Sequence, residues 1–415
     1  MLLRFFPLVK QSLEEDSLAP LLWYGKYVDF GGFDAVLNRK SQTKSIQVSI
    51  VSEVHPERKG RNFLRAIDGN YLAINRNILS GTWKVDISLE NVENETIWKE
   101  ITLEKSDFSI NFKLQKTQIT GLRVNGIHVK RTFNFERTSL LPIFHIKPED
   151  ELQNEKAIIE VLKKLLKPSL KDGRIQAILY ELPIDSKESA LNYLLEQKLI
   201  LKPRYSSPNF SVEFADVFAH IVVHMLPDIV RSLRENLSIF FKSVQYIAPV
   251  RATAERYYRH QELVVSEIDS GGANLPMFLA SLKAFERADF NKFIKSIFEF
   301  EINAEASGGH VELKIVTADG QTNIADTGFG FSQMLPILAQ IWLSMKKNSV
   351  FHSKFARKIT LAIEQPELHL HPKYQKLFGR MLCQVIKSYP EIDFFIETHS
   401  EQIVAVLGEQ IERSN

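Results

Sequence analysis

One cysteine in 415 residues, Cys383, rules out a disulfide framework and any cysteine-based zinc cluster, and it fits a reducing cytosol. An excess of either charge is also missing. Lys and Arg number 52 against 50 Asp and Glu, for a formal net charge of +2, so no global basic field demands nucleic acid. No apolar run approaches the roughly 20 residues that a membrane helix needs. The opening MLLRFFPLVKQSLEEDS lacks a small-residue cleavage site and runs straight into acidic residues, which argues against a secretory leader. Internal repeats and low-complexity tracts are absent as well. What is present is ordinary globular composition, 44% hydrophobic and 25% charged, enough for two or three domains with a substantial core. The expectation is a cytoplasmic multi-domain protein with no membrane segment.

Hydrophobic periodicity changes along the chain. Over residues 2–15 the apolar positions Leu2, Leu3, Phe5, Phe6, Leu8, Val9 and Leu13 fall near one helical face. From about Ser45 to Lys130 the pattern alternates, as in SIQVSIVSEV, TWKVDISLENV and FSINFKLQK, which predicts antiparallel strands joined by turns such as Asp68-Gly69-Asn70. Helical spacing returns between about Pro148 and Ser243. YIAPVR then predicts a short buried strand, followed by helices over 275–300 and a strand in GGHVELKIVTADG. These shifts predict four regions: 1–40, an antiparallel β subdomain at 41–145, a helical insertion at 146–243, and 244–415.

The last region carries the chemistry. Its order is a glycine loop opening an apolar helix, an apolar strand ITLAIE, a helix, and a second apolar strand IDFFIE. Near-continuous apolar strands alternating with helices predict a parallel sheet covered on both faces, hence an α/β fold. Ligands of such sheets bind outside the carboxyl ends of the strands. The polar clusters Glu364 to His371 and Glu397 to Ser400 both follow strand carboxyl ends, so both are expected to face one site.

Two chemistries compete there. Glu364, His369, His371 and His399 could gather on zinc. Against that, the first two histidines lie past Pro366 in a turn leading to Pro372, where one is expected to cap the helix. The nucleotide reading accounts for more residues. A carboxylate at a strand end, Glu364, can hold the water shell of Mg2+. The residues after it then lie beside a terminal phosphate, where a side chain can orient the attacking water. His399, at the end of the neighbouring strand, can donate to that phosphate or water. Upstream, Gly328 and Gly330 permit close backbone approach, and the helix expected to start near Phe331 offers N–H groups to an anion.

Taken together, IEQPELHLHP, FIETHS, DTGFGFSQMLPIL, YIAPVRATAERYY and GANLPMFL resemble the ATPases of the ABC-like AAA group. More narrowly, they are similar to the branch of the overcoming-lysogenisation-defect nucleases and Septu-type anti-phage ATPases. The resemblance covers about residues 1–40 and 240–415. It implies an ABC-ATPase-like P-loop NTPase core that binds ATP and Mg2+ and dimerises around the nucleotide. Within it Glu364 becomes the Walker B metal carboxylate and His399 the switch histidine. The loop Gly328, Gly330, Ser332 and Gln333 becomes the signature that closes on ATP held by a second subunit; which of its residues meets phosphate stays open.

Two departures qualify the activity. The usual general base after the metal carboxylate is replaced by Gln365, which can orient water but not take its proton; loss of a positioned base costs about 10²–10⁴-fold. Hydrolysis is therefore expected to be slow unless Glu367 substitutes. No G-x-x-x-x-G-K-[ST] loop occurs in the chain, and by the resemblance LLRFFPLVKQS is the helix that follows one. The corresponding expectation is a chain truncated at its N-terminus, with a phosphate loop encoded in frame upstream. The implied function is an ATPase subunit that controls an effector nuclease in phage defence or DNA maintenance. The alternatives are a nucleotide-sensing scaffold without turnover and, third, a metal-dependent hydrolase. Lys163, Lys164, Lys167 and Lys171 mark either a partner or DNA surface or a solvated helix face.

Overall fold

The structure is a computed structural model of the chain. It describes all residues except 1, 16, 39–42, 55–62, 66–70, 74–79, 107, 116, 146–147, 262–264, 266, 351–357 and 413–415. The turn expected at Asp68-Gly69-Asn70 lies outside the described residues. The protein is a mixed α/β molecule with a parallel sheet, antiparallel sheets and a run of helices, and it divides into two compact units.

One unit comprises Gln11–Gly25 and Asp29–Phe240 and holds both the antiparallel sheet and the helices that follow it. Its strands pair in the order Ser45–Val54, Gly81–Val92, Glu95–Lys105, Phe108–Gln115, Gln118–Val124, Asn134–Glu136 and Ile143–His145. Alternation makes the face: Trp83, Val85, Ile87 and Leu89 are all buried on one strand. On the next strand the buried residues Trp98 and Ile101 are three apart, which breaks a period of two. A bulge resolves it, since Ser88 pairs with Glu100 and Leu89 with Trp98, so Lys99 is the extra residue and Trp98 returns to the core face. Where the chain reads RVNGIHV, Asn125 and Gly126 take φ of 48° and 80° and fold the segment into a tight hairpin. The helix Phe210–His224 lies over the sheet, with the Phe218 ring 6.0 Å from Phe108 and Phe108 5.8 Å from Trp83. In the basic stretch, Lys163 is paired with Glu160 and Asp172, each at 2.8 Å, so part of that charge is neutralised locally.

The other unit comprises Met1–Lys10, Lys26–Val28 and Phe241–Asn415. Its parallel sheet runs Gln245–Ile247, Ile359–Glu364, Ile392–Glu397, with the middle strand fully enclosed at Leu361, Ala362 and Ile363. The helices Phe329–Val350 and Pro372–Ser388 lead into the second and third strands, and Glu401–Glu412 follows the last. A four-stranded antiparallel sheet, built around His310–Thr317 and Glu301–Ser307, completes the unit. Its core is aromatic: Phe278, Phe290 and Trp342 sit within 5.4–6.4 Å of one another, edge to face. Gly272, with φ of 72°, admits Pro336 of the long helix so closely that a β-carbon there would stand 2.5 Å from the proline Cγ. Among the described residues no single helix is long and apolar enough to cross a membrane.

Candidate functional site

Glu364 is the last residue of the central parallel strand, directly opposite Glu397 on its neighbour. The four residues before it bury completely or nearly so, which fixes the register and delivers the carboxylate to the strand end. That carboxylate is itself 1% exposed and fully engaged. Arg4 donates from Nε to both oxygens and from Nη2 to Oε2, each at 3.1 Å. The Tyr246 hydroxyl, from the adjacent strand, donates to Oε1 at 2.9 Å. The hydrogen bond to Glu364 raises the Arg4 pKa, and burial raises that of Tyr246, helped by the neighbouring carboxylate.

Immediately past the strand the backbone turns sharply. Gln365 has φ of 44° and His369 of 61°, a conformation that side-chain-bearing residues rarely hold. Two contacts pin the turn. The Gln365 N–H donates to the Glu397 carbonyl at 2.7 Å, and the Gln365 carbonyl accepts from Arg251 Nη2 at 2.8 Å. Glu367 then ties this turn to the next strand end: its carboxylate accepts from the Thr398 hydroxyl and from the His399 N–H, both at 2.7 Å. As placed, Glu367 braces the His399 turn. The His399 residue is exposed and stands at the same end of the sheet.

Downstream, Ser400 accepts from the Ile403 N–H and so caps the closing helix, while its hydroxyl donates to Gln375. His371 caps the helix Pro372–Ser388, its Nδ1 accepting from the Lys373 N–H at 3.2 Å. His369 lies against the Phe329 ring, 5.7 Å between centroids. The zinc alternative finds no support in this arrangement, because His371 spends a ring nitrogen on the helix. Among the described residues no group of three His, Cys, Asp or Glu could hold a metal ion. A single strand-end carboxylate suits Mg2+, which binds through few protein oxygens and keeps several waters. Glu364 is the residue that would hold it, and the ion would supply charge neutralisation at phosphate; Arg4 would have to yield.

The glycine loop packs on the same turn. Gly328 has φ of 81°, and a β-carbon at Gly330 would lie 3.1 Å from the His369 carbonyl. The long helix begins at Phe329, two residues before the expected Phe331, and the Ser332 hydroxyl donates to the Phe329 carbonyl within its first turn. Ser332 and Gln333 are buried. Gln333 grips Arg251 from both sides, its Oε1 accepting the Arg251 N–H and its Nε2 donating to the Arg251 carbonyl, each at 3.2 Å. Gly328, Gly330, Ser332, Gln333, Glu364, Gln365, Glu367 and His399 therefore belong to one region of one unit.

Sequence reasoning missed Arg4, Tyr246 and Arg251. Arg251 was findable by the same rule as the others, since it follows the carboxyl end of the strand Gln245–Ile247. Arg4 gave no signal: it meets Glu364 across 360 positions.

The profile of the AAA ATPase domain family matches residues 67–404. No functionally curated protein matches the sequence. Among solved structures the chain is similar to the Smc head domain with an extended coiled coil, bound to the C-terminal domain of ScpA, from Pyrococcus furiosus. That likeness has 10% identity and a TM-score of 0.23, covering 79% of this chain and 73% of the other, and carries no functional weight. With the profile spanning most of its length, the chain belongs to the AAA ATPase domain family.

Proposed function

We propose that this chain is the ATP-binding subunit of an ABC-like ATPase that dimerises around ATP and Mg2+ and controls a partner effector, a nuclease in phage defence or DNA maintenance. The observation that carries the reading is the joining of two adjacent strand ends. Glu364 faces Glu397, the Gln365 N–H is bonded to the Glu397 carbonyl, and Glu367 holds the His399 N–H. A carboxylate, an amide residue and a histidine thus lie on a single sheet edge, which supports this reading. In this reading Glu364 holds the metal, Gln365 orients the attacking water, and His399 donates to the terminal phosphate. Gly328, Gly330 and Ser332 face the nucleotide of a second subunit, and Gln333 holds their helix in place.

Slow turnover is part of the proposal, because Gln365 takes no proton and Glu367 already accepts two hydrogen bonds. The test is Mg2+-dependent ATP binding and phosphate release by the protein, alone and with Glu364→Gln or His399→Ala. The expected outcome is measurable binding, with turnover reduced at least tenfold in each variant. Binding without turnover in the parent protein would leave the nucleotide-sensing scaffold, and stoichiometric zinc in the purified protein would revive the metal-dependent hydrolase.

A further inference from the structure

Arg251 is 3% exposed, yet among the described residues its Nε and Nη1 have no hydrogen-bond partner. Its one side-chain bond runs from Nη2 to the Gln365 carbonyl, and among the described residues no carboxylate forms an ion pair with it. Burial lowers its pKa to about 10, so it remains a cation at neutral pH; Glu367 is the acid near enough to oppose that shift. A buried guanidinium with two idle nitrogens and no counter-ion is a standing cost, and such groups mark places where an anion belongs.

The placement is built. Gln333 clamps both main-chain groups of Arg251, and Gln333 sits in the first turns of the helix opened by Gly328. On the other side the guanidinium holds Gln365 in its left-handed conformation. Arg251 is thus anchored to the glycine-loop helix and reaches the turn that follows the metal carboxylate. Arginine suits the task, because its planar fork matches phosphate oxygens and stays charged when buried.

We propose that Arg251 is the residue by which this chain distinguishes a nucleoside triphosphate from a diphosphate, its idle nitrogens taking the terminal phosphate. This rests on the nucleotide reading of the site. A triphosphate supplies the missing counter-ion, and a diphosphate ends short of it. The nitrogens are enclosed in the present structure, so the turn from Gln365 to His369 shifts to admit the phosphate. That motion pulls on Gln333 and so reports occupancy to the glycine-loop helix.

The experiment is equilibrium binding of the Mg2+ complexes of a non-hydrolysable ATP analogue and of ADP to the protein. It compares the parent with Arg251→Gln and Arg251→Lys. The parent should favour the triphosphate at least tenfold. Arg251→Gln should bring the ratio near one with ADP affinity unchanged, and Arg251→Lys should fall between. An unchanged ratio in Arg251→Gln overturns the proposal and leaves the nucleotide site standing. A parallel loss of both ligands makes Arg251 a brace only, and also overturns it. If the parent binds neither ligand, the nucleotide reading fails and this proposal with it. If Arg251→Gln does not fold, Arg251→Lys decides, because a lysine keeps the charge but loses the fork; an unchanged ratio there is again fatal.

Discussion

Replacing Gln365 by glutamate places a proton acceptor one residue beyond Glu364, the proposed metal carboxylate, without changing the length of the side chain. The Gln365 main chain is held by Glu397 and Arg251, so the substitution changes chemistry more than geometry. Turnover should rise by about 10²-fold or more, the scale of a positioned general base. Steady-state phosphate release checks it, and an unchanged rate would mean that side chain 365 does not address the attacking water. Glu367 behaves differently. Because it accepts from Thr398 and His399, Glu367→Ala loses two hydrogen bonds and should destabilise the unit by about 1 kcal/mol, read by denaturant unfolding. Residue types at 364, 365 and 399 were legible in the sequence because strand-end position and chemistry coincide. The partners of Glu364 were not, since a contact across 360 positions leaves no periodic trace.

Among the elements, the parallel strands were the clearest to read. ITLAIE and IDFFIE are short apolar runs bounded by polar clusters, and they occupy Ile359–Glu364 and Ile392–Glu397. Less legible was the start of the long helix, where the glycine pair suggested Phe331 and the structure begins at Phe329. Gly328 absorbs the turn alone, with φ of 81°, while Gly330 is already helical and is small because the His369 carbonyl approaches it. Pro336 inside that helix would ordinarily argue for a break. It is tolerated against Gly272, whose missing side chain makes room. Gly272→Ala should therefore cost roughly 1–3 kcal/mol, from a left-handed backbone and a clash with Pro336 together. A midpoint unchanged in chemical denaturation would show that the long helix can move away.

At the scale of the whole molecule, resistance to acid depends on a histidine far in sequence from the site. His224 ends the helix Phe210–His224, its Nδ1 is enclosed without a partner among the described residues, and burial beside Arg131 lowers its pKa from 6.5 to about 3. The folded state then binds the proton less readily than the unfolded one, so stability is complete above pH 6.5 and falls as pH drops toward 3. The slope is about 1.4 kcal/mol per pH unit from this group. Asp228, whose pKa burial raises, opposes the loss at the acid end of that window. His224→Leu should flatten the dependence between pH 6.5 and 4, measured by thermal unfolding at a series of pH values. An equally steep profile in the variant would assign the acid sensitivity to other groups.

The left-handed Gln365 has one more consequence, for how this protein can change. Glycine adopts that backbone conformation freely, whereas a residue with a β-carbon is disfavoured there by about 1–2 kcal/mol. Selection for heat resistance alone would accept Gln365→Gly at once. The resulting chain would melt later and lose the side-chain amide, so if Gln365 orients water as proposed, the residue that makes the turn uncomfortable is the one selection for activity must keep.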